Sequence, residues 1–238
     1  MPQIDEQIQQ FLLNRTSGAE ELSKHALEII KKLYHLKNKE ERITEFLRKS
    51  AEQFPVMVPI LKIKDFLQNN DISDDNLKKL ISLLSDKSYI KNASFLFSRP
   101  RYLLTFSNSS SVRKIVKRYR TSIPKIFCCH SLPLGEGEYL HKFFEEQKIN
   151  STLIEDSEIS KYVSKVDFVL IGADAITDSF FINKVGSLQL ALLTNYFQKP
   201  VYVVASKSKI IDEDGLDISK LGPYFEKVEN KLVTKIIM

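Results

Sequence analysis

Val166-Asp167-Phe168-Val169-Leu170-Ile171-Gly172-Ala173-Asp174-Ala175-Ile176 is the stretch on which the fold turns. The apolar run from Phe168 to Gly172 has the length of one buried strand and falls far short of the ~20 residues that cross a bilayer. It closes on a glycine, which lets the backbone turn sharply, and then on Asp174 at the open edge of a sheet. A carboxylate there either caps the next segment or acts as a general acid or base.

Outward from this strand, β-rich runs alternate with helical ones. Upstream lie Tyr102 to Phe106, a helix from Ser110 to about Arg120, Lys125 to Cys129, a helix from Glu136 to Gln147, Thr152 to Ile154 and a short helix around Ile159 to Val163. Downstream come a helix from Lys184 to Phe197 and a strand from Pro200 to Ala205. Repeated β-α-β spacing implies a parallel sheet covered on both faces, with ligands bound at the carboxyl ends of its strands. Before residue 98 apolar residues recur instead at helical spacing, as in Leu22, Ala26, Ile29, Ile30 and Leu33, or Leu77, Leu80, Ile81 and Leu84. Ser17 with Glu20-Glu21, and Asp71-Ile72-Ser73-Asp74-Asp75, read as capped helix starts. The predicted fold class is α/β: an N-terminal helical domain over 1–98, followed by a Rossmann-like parallel-sheet domain over 99–238.

Composition supports a globular chain. Of 238 residues, 43% are hydrophobic and 27% charged, which excludes disordered and collagen-like classes. The start Met1-Pro2-Gln3-Ile4-Asp5-Glu6 lacks the basic and apolar segments of a signal peptide, so a soluble, cytoplasmic protein with no membrane partner is expected. Cys128 and Cys129 are neighbours in a strand, pointing to opposite faces, so a disulfide between them is sterically poor and a reducing compartment fits. Neither they nor the four histidines form a closed metal set, and no metal or cofactor is expected. Net charge is +5, and the excess is local: Arg99, Arg101, Arg113, Lys114, Lys117, Arg118, Arg120 and Lys125 form a run without an acid. Such a run is commonly a solvated face; here it surrounds a Ser/Asn loop suited to phosphate. No aromatic platform or RNA module accompanies it, so nucleic acid is not expected as a partner.

Three strand-end loops carry candidate chemistry. Thr105-Phe106-Ser107-Asn108-Ser109-Ser110-Ser111 leaves a strand and opens a helix, and its hydroxyls and amides suit an anion as well as a plain cap. The second is Gly172-Ala173-Asp174. The third, Asn183-Lys184-Val185-Gly186-Ser187, sets an amide and an ammonium at a helix start, where a lysine opposes the helix dipole unless an anion is present.

The stretch from Val166 to Ile176, followed by Ile182-Asn183-Lys184-Val185-Gly186-Ser187-Leu188-Gln189-Leu190-Ala191 and Lys199-Pro200-Val201-Tyr202-Val203-Val204-Ala205, resembles one family's signature. That family groups the alpha, beta and delta subunits of translation initiation factor 2B with methylthioribose-1-phosphate isomerase and ribose-1,5-bisphosphate isomerase. The similarity continues through Thr152 to Ser157 and through Phe225 to Ile237. It reaches back more weakly to Arg15-Thr16-Ser17-Gly18-Ala19 and Phe54-Pro55-Val56-Met57-Val58-Pro59. The resemblance implies a helical N-terminal domain, a Rossmann-like C-terminal domain and a dimer or higher oligomer. It also implies that Asp174 stands at the catalytic aspartate, with Asn183 and Lys184 at the sugar-phosphate-binding pair. The family's catalytic thiol falls on Ser107, a far poorer acid near neutral pH than a thiol of pKa ~8.5. The family's Glu-Thr-Arg-Pro element falls on His130-Ser131-Leu132-Pro133, without its acid and arginine, and the arginine expected before Pro55 is Phe54.

These departures favour a non-catalytic protein similar to the initiation factor 2B subunits, binding a sugar-phosphate or nucleotide-phosphate ligand. Asn108, Ser109, Ser110, Ser111, Asn183 and Lys184 are its expected contacts, and a translation initiation factor is a candidate partner. The alternative is an aldose-ketose isomerase acting on ribose-1,5-bisphosphate or methylthioribose-1-phosphate, with Asp174 and Ser107 catalytic.

Overall fold

The computed structural model describes residues 2–238. Helices α1 (Pro2–Leu13), α2 (Ala19–Tyr34), α3 (Lys39–Gln53), α4 (Val58–Asn69) and α5 (Asp74–Leu84) open the chain. The stripe Leu22, Ala26, Ile29, Ile30 and Leu33 of α2 packs with Ile43 and Phe46 of α3, Ile60 and Ile63 of α4, and Leu77 and Leu80 of α5 in one core. Each Leu, Ile or Phe side chain among these, fully buried, contributes about 1.5–3 kcal/mol. The start of α5 is capped as its sequence indicates, the Ser73 hydroxyl accepting from the Asn76 amide at 3.4 Å. The start of α2 is not: Gly18 is the capping residue and makes no side-chain bond, while the Ser17 hydroxyl accepts from Asn14 Nδ2 at 3.1 Å.

Past α6 (Ser88–Asn92) the chain turns to the sheet. Tyr89, Leu96 and Phe97 already pack with Leu103, Ile115 and Phe168 rather than with the first helices. The elements then alternate as β1 (Tyr102–Thr105), α7 (Ser110–Arg118), β2 (Lys125–Cys129), α8 (Gly137–Glu146), β3 (Ser151–Ile154), α9 (Ile159–Val163) and β4 (Phe168–Ile171). They continue with β5 (Ala175–Ile176), β6 (Phe180–Lys184), α10 (Ser187–Tyr196), β7 (Val201–Val204), β8 (Phe225–Glu229) and β9 (Lys235–Ile237). The main sheet runs β3-β2-β1-β4-β7-β9, every adjacent pair parallel. Strand order therefore reverses between β1 and β4, and a crevice opens at their carboxyl ends. All four residues of β4 are buried.

A second, antiparallel sheet of β5, β6 and β8 adjoins the main sheet, and it corrects the sequence reading at one functional point. Asn183 and Lys184 do not start the helix; they close β6, paired with Glu226 and Phe225 of β8, and Gly186 at φ 101° turns the chain into α10. Val56, Val58, Phe180, Ile182 and Leu216 form the core that joins this small sheet to the start of α4 and the residues just before it.

Cys128 and Cys129 are buried free thiols in β2, and burial pushes both up from the usual thiol range. Part of the basic run is engaged elsewhere. Arg101 pairs with Asp167 at 3.0 Å, Arg113 lies over the Phe143 ring at 4.9 Å and Lys114 bonds Glu20. Among the described residues no helix is long and apolar enough to cross a membrane.

Candidate functional site

The loops after β1 and β4 meet in the crevice because Gly172 carries no side chain: a Cβ there would lie 2.3 Å from Ser109 Oγ. The glycine thus serves close approach, and the left-handed residue of the site is Ser107, at φ 67°. That conformation is uncommon outside glycine and is typical of residues held for function. It is held from both sides. The Ser107 amide donates to Ser131 Oγ at 2.7 Å, and its hydroxyl donates to the carboxylate of Glu136. Ser131 is fixed in turn by Asp156, which accepts from the Ser131 and Leu132 amides at 2.9 and 2.7 Å. The His130-to-Pro133 element therefore buttresses Ser107 through its backbone and Ser131.

A cavity of about 10 Å³ lies among Thr16, Gly18, Ser107 to Ser110, Glu136, Gly172 to Asp174, Asn183, Lys184 and Lys209. That volume holds about one water. Of the residues singled out from sequence, Ser107, Asn108, Ser109, Ser110, Asp174, Asn183 and Lys184 come together here. Ser111 is fully buried and does not line the cavity. None of the eight clustered basic residues lines it either; its cations are Lys184 and Lys209.

Most polar groups of the site have a partner from the protein, whereas Asn108 Oδ1 and Glu136 Oε2 accept no hydrogen bond. Asp174 accepts from the Ala19 amide at 3.2 Å, so its carboxylate sits on the first turn of α2. Lys184 donates to the Arg15 carbonyl at 3.0 Å and lies 3.3 Å from Glu136 Oε2. Asn183 Nδ2 donates to Ser187 Oγ at 2.8 Å, and Lys209 donates to the Ala173 carbonyl. Ser109 caps α7 by accepting from the Val112 amide at 3.4 Å, and the Ser110 hydroxyl donates to Glu20 at 2.8 Å. Burial raises the Glu136 carboxyl above its ordinary range, against the pull of Lys184 and Ser107. Burial likewise lowers the Lys209 ammonium, opposed by Asp174.

Sequence reading missed Glu136, Lys209 and the backbone of Arg15 to Ala19. Glu136 carried one signal, an acid flanked by Gly135 and Gly137. Gly137 must be glycine, because a Cβ would lie 1.7 Å from the Cys129 carbonyl oxygen, and this contact brings Glu136 to the strand end. Beside the small cavity is a larger one of about 250 Å³ whose lining includes Arg15, Phe54, Pro55, Tyr224 and Phe225. The Arg15 guanidinium stacks over Phe54 at 5.9 Å and donates to the Leu12 carbonyl at 2.7 Å.

A parallel sheet ordered as this one is, entered from a helical region and carrying polar loops at its switch point, defines a Rossmann-like protein with a candidate site at that switch point. The chain belongs to the initiation factor 2 subunit family, whose sequence profile matches residues 10–223. It is 32% identical over 110 residues to ribose 1,5-bisphosphate isomerase of Methanocaldococcus jannaschii, covering 45% of this chain and 36% of that protein. It is 28% identical over 160 residues to methylthioribose-1-phosphate isomerase of Schizosaccharomyces pombe, covering 62% and 42%. A translation initiation factor eIF-2B subunit 2-like protein of Pyrococcus furiosus is 27% identical over 184 residues, covering 71% and 64%. The matches thus span between about a third and two thirds of these relatives. The fold is shared with translation initiation factor eIF-2B of Pyrococcus horikoshii OT3, at TM-score 0.86 and 22% identity over 99% of this chain and 94% of that one. It is shared also with a chain of the tetrameric eIF2B-beta2-delta2 complex of C. thermophilum, at TM-score 0.69 and 14% identity over 98% and 88%. The family holds both isomerases and initiation factor subunits.

Proposed function

We propose that this chain is an initiation factor 2B subunit-like protein that binds a sugar-phosphate or nucleotide-phosphate ligand in the crevice between β1 and β4 without converting it. The supporting observation is that the groups able to move protons are engaged by the protein itself: Ser107 with Glu136, and Asp174 with the first turn of α2. A hydroxyl at the strand end is a poor acid near neutral pH, and here it also donates inward. The Ser107-to-Ser110 loop and Lys184 supply the hydroxyls, amides and ammonium that a phosphate needs. A ligand larger than water enters when Arg15 to Ala19 moves off the sheet, since those residues close the cavity through Asp174 and Lys184. Partners on this reading are further copies of the chain and a translation initiation factor, in the cytoplasm.

The second reading, aldose-ketose isomerisation, is favoured by Glu136. It returns to the pocket a carboxyl whose proton affinity is raised, beside Ser107 and within the same cavity as Asp174.

Calorimetry with ribose-1,5-bisphosphate, methylthioribose-1-phosphate, AMP and GMP, paired with an isomerase assay, separates the two. We expect binding without turnover. Lys184→Ala should weaken binding by roughly 10- to 150-fold, the loss of a charge-assisted contact worth about 1.5–3 kcal/mol. Unchanged affinity in that variant would reject the site, and ketose formation by the wild-type protein would establish the isomerase reading. If turnover is found, Asp174→Asn should abolish it and leave binding largely intact.

A further inference from the structure

The carboxylate of Glu136 occupies the position where an incoming anion would find its donors. Its Oε1 takes the Ser107 hydroxyl, and its Oε2, 3.3 Å from Lys184 Nζ, has no hydrogen-bond partner. The side chain is 1% exposed, and the main chain beneath it is pinned, because Gly137 donates to the His130 carbonyl at 3.0 Å and sits directly against Cys129. Glu136 therefore cannot swing away cheaply when a ligand arrives.

The ionisable residues lining the cavity are Glu136, Asp174, Lys184 and Lys209, two acids and two bases. The groups facing Glu136 are Lys184 from β6, Asp174 from the loop after β4 and the Ser107 hydroxyl, while Lys209 from the turn after β7 lines the same cavity. On its own segment, His130 is turned to Glu138 at 3.1 Å. A dianion brought in beside two carboxylates meets like charge in a buried site where solvent screening is weak. Asp174 accepts from the α2 amide, whereas Glu136 Oε2 accepts no hydrogen bond, so Glu136 is the acid placed to take a proton.

We infer that Glu136 is an internal stand-in for the ligand's anionic group, and that a tetrahedral dianion binds only as Glu136 takes up one proton from solvent. The inference rests on the proposed phosphate site and adds its control. As a carboxylate, Glu136 holds Lys184 and Ser107 in place of the ligand. As a carboxylic acid it releases Lys184 and donates a hydrogen bond to the anion. Its raised proton affinity in the unliganded protein points the same way. The sign is fixed: anion affinity rises as pH falls, because the bound state holds more protons than the free state.

Sulfate is the probe, since its charge is constant across the working range, with AMP as the phosphate arm at about pH 8, where its phosphate is fully ionised. Calorimetry in buffers of different ionisation enthalpy should show uptake of about one proton per sulfate bound, with affinity rising towards tenfold per pH unit as pH falls. Glu136→Gln keeps the shape without the charge. It should bind both anions at least about tenfold more tightly near pH 8, and lose both the proton uptake and the pH slope. Binding without proton uptake, or a Glu136→Gln protein that binds more weakly, overturns the stand-in while leaving the phosphate site intact. No anion binding by either protein at any pH removes the site and the inference together. Should Glu136→Gln fail to fold, judged by circular dichroism, proton uptake by the wild-type protein alone decides.

Discussion

Glu20 shows how much a single buried charge does here. It stands in the first turn of α2, 7% exposed, and joins the helical region to the sheet region. Burial works against its ionisation, but bonds from Lys114 and Lys24 outweigh that and hold the carboxyl down at about 2. A depressed folded value stabilises the protein above the unfolded carboxylate range near ~4.3, and that stability is lost as pH falls towards the folded value. With Lys24 solvent-exposed, the contribution is about 2 kcal/mol. Denaturant titrations should therefore show Glu20→Gln less stable than wild type near neutral pH, with the gap closing as pH approaches about 2. A gap that stays constant with pH would exclude this role. From sequence Glu20 is an ordinary early helix acid. Its partners Ser110 and Lys114 lie about ninety positions away, and no local pattern marks them. Lys209 was hidden for a related reason: no local pattern marks it, yet the turn after β7 drives it inward to 3% exposure.

At the scale of elements, the junction of β4 with α7 is a close approach that the site depends on. Gly172 lies so close to Ser109 that alanine there would meet Ser109 Oγ at 2.3 Å and its Cβ at 2.7 Å. Ser109 is also the N-cap of α7. Gly172→Ala should therefore displace the cap and cost at least the ~1 kcal/mol typical of a lost cap. Ser109→Ala, which loses the cap without the clash, should cost less. Chemical denaturation of both variants measures the order, and equal or reversed costs would show that the approach relaxes freely. The same junction shows what was legible. β1, β2, β4 and β7 announce themselves as short apolar runs at β-α-β spacing, and the loops at their ends follow from the parallel sheet. β6 was not legible. Its register is set by β8, more than forty residues away, and its last two residues are polar. Asn183 and Lys184 look like a helix start until Ser187, Glu136 and the Arg15 carbonyl are seen to satisfy them inside the protein.

For the whole molecule, the alternation of helical and β-rich halves was readable because it depends on local periodicity, whereas the closing of one half on the other depends on contacts such as Ala19 with Asp174. What remains open to solvent after that closure bears on assembly. α10 buries Leu190, Ala191 and Thr194 against the sheet, yet its outer side carries Leu192 at 52% and Tyr196 at 81% exposure, beside partly buried Leu193 and Phe197. A helix apolar on both sides is satisfied by a second surface. We therefore expect the chain to be at least a dimer, joined through the sheet region along α10. Light scattering at micromolar concentration should give a mass of two copies or more, and Leu192→Lys with Tyr196→Asp should shift it to the monomer without loss of circular dichroism. A wild-type protein that is strictly monomeric would exclude this interface. A double variant that keeps the wild-type mass would move the interface away from α10, to another exposed apolar site such as Leu132 and Tyr139, at 53% and 54% exposure.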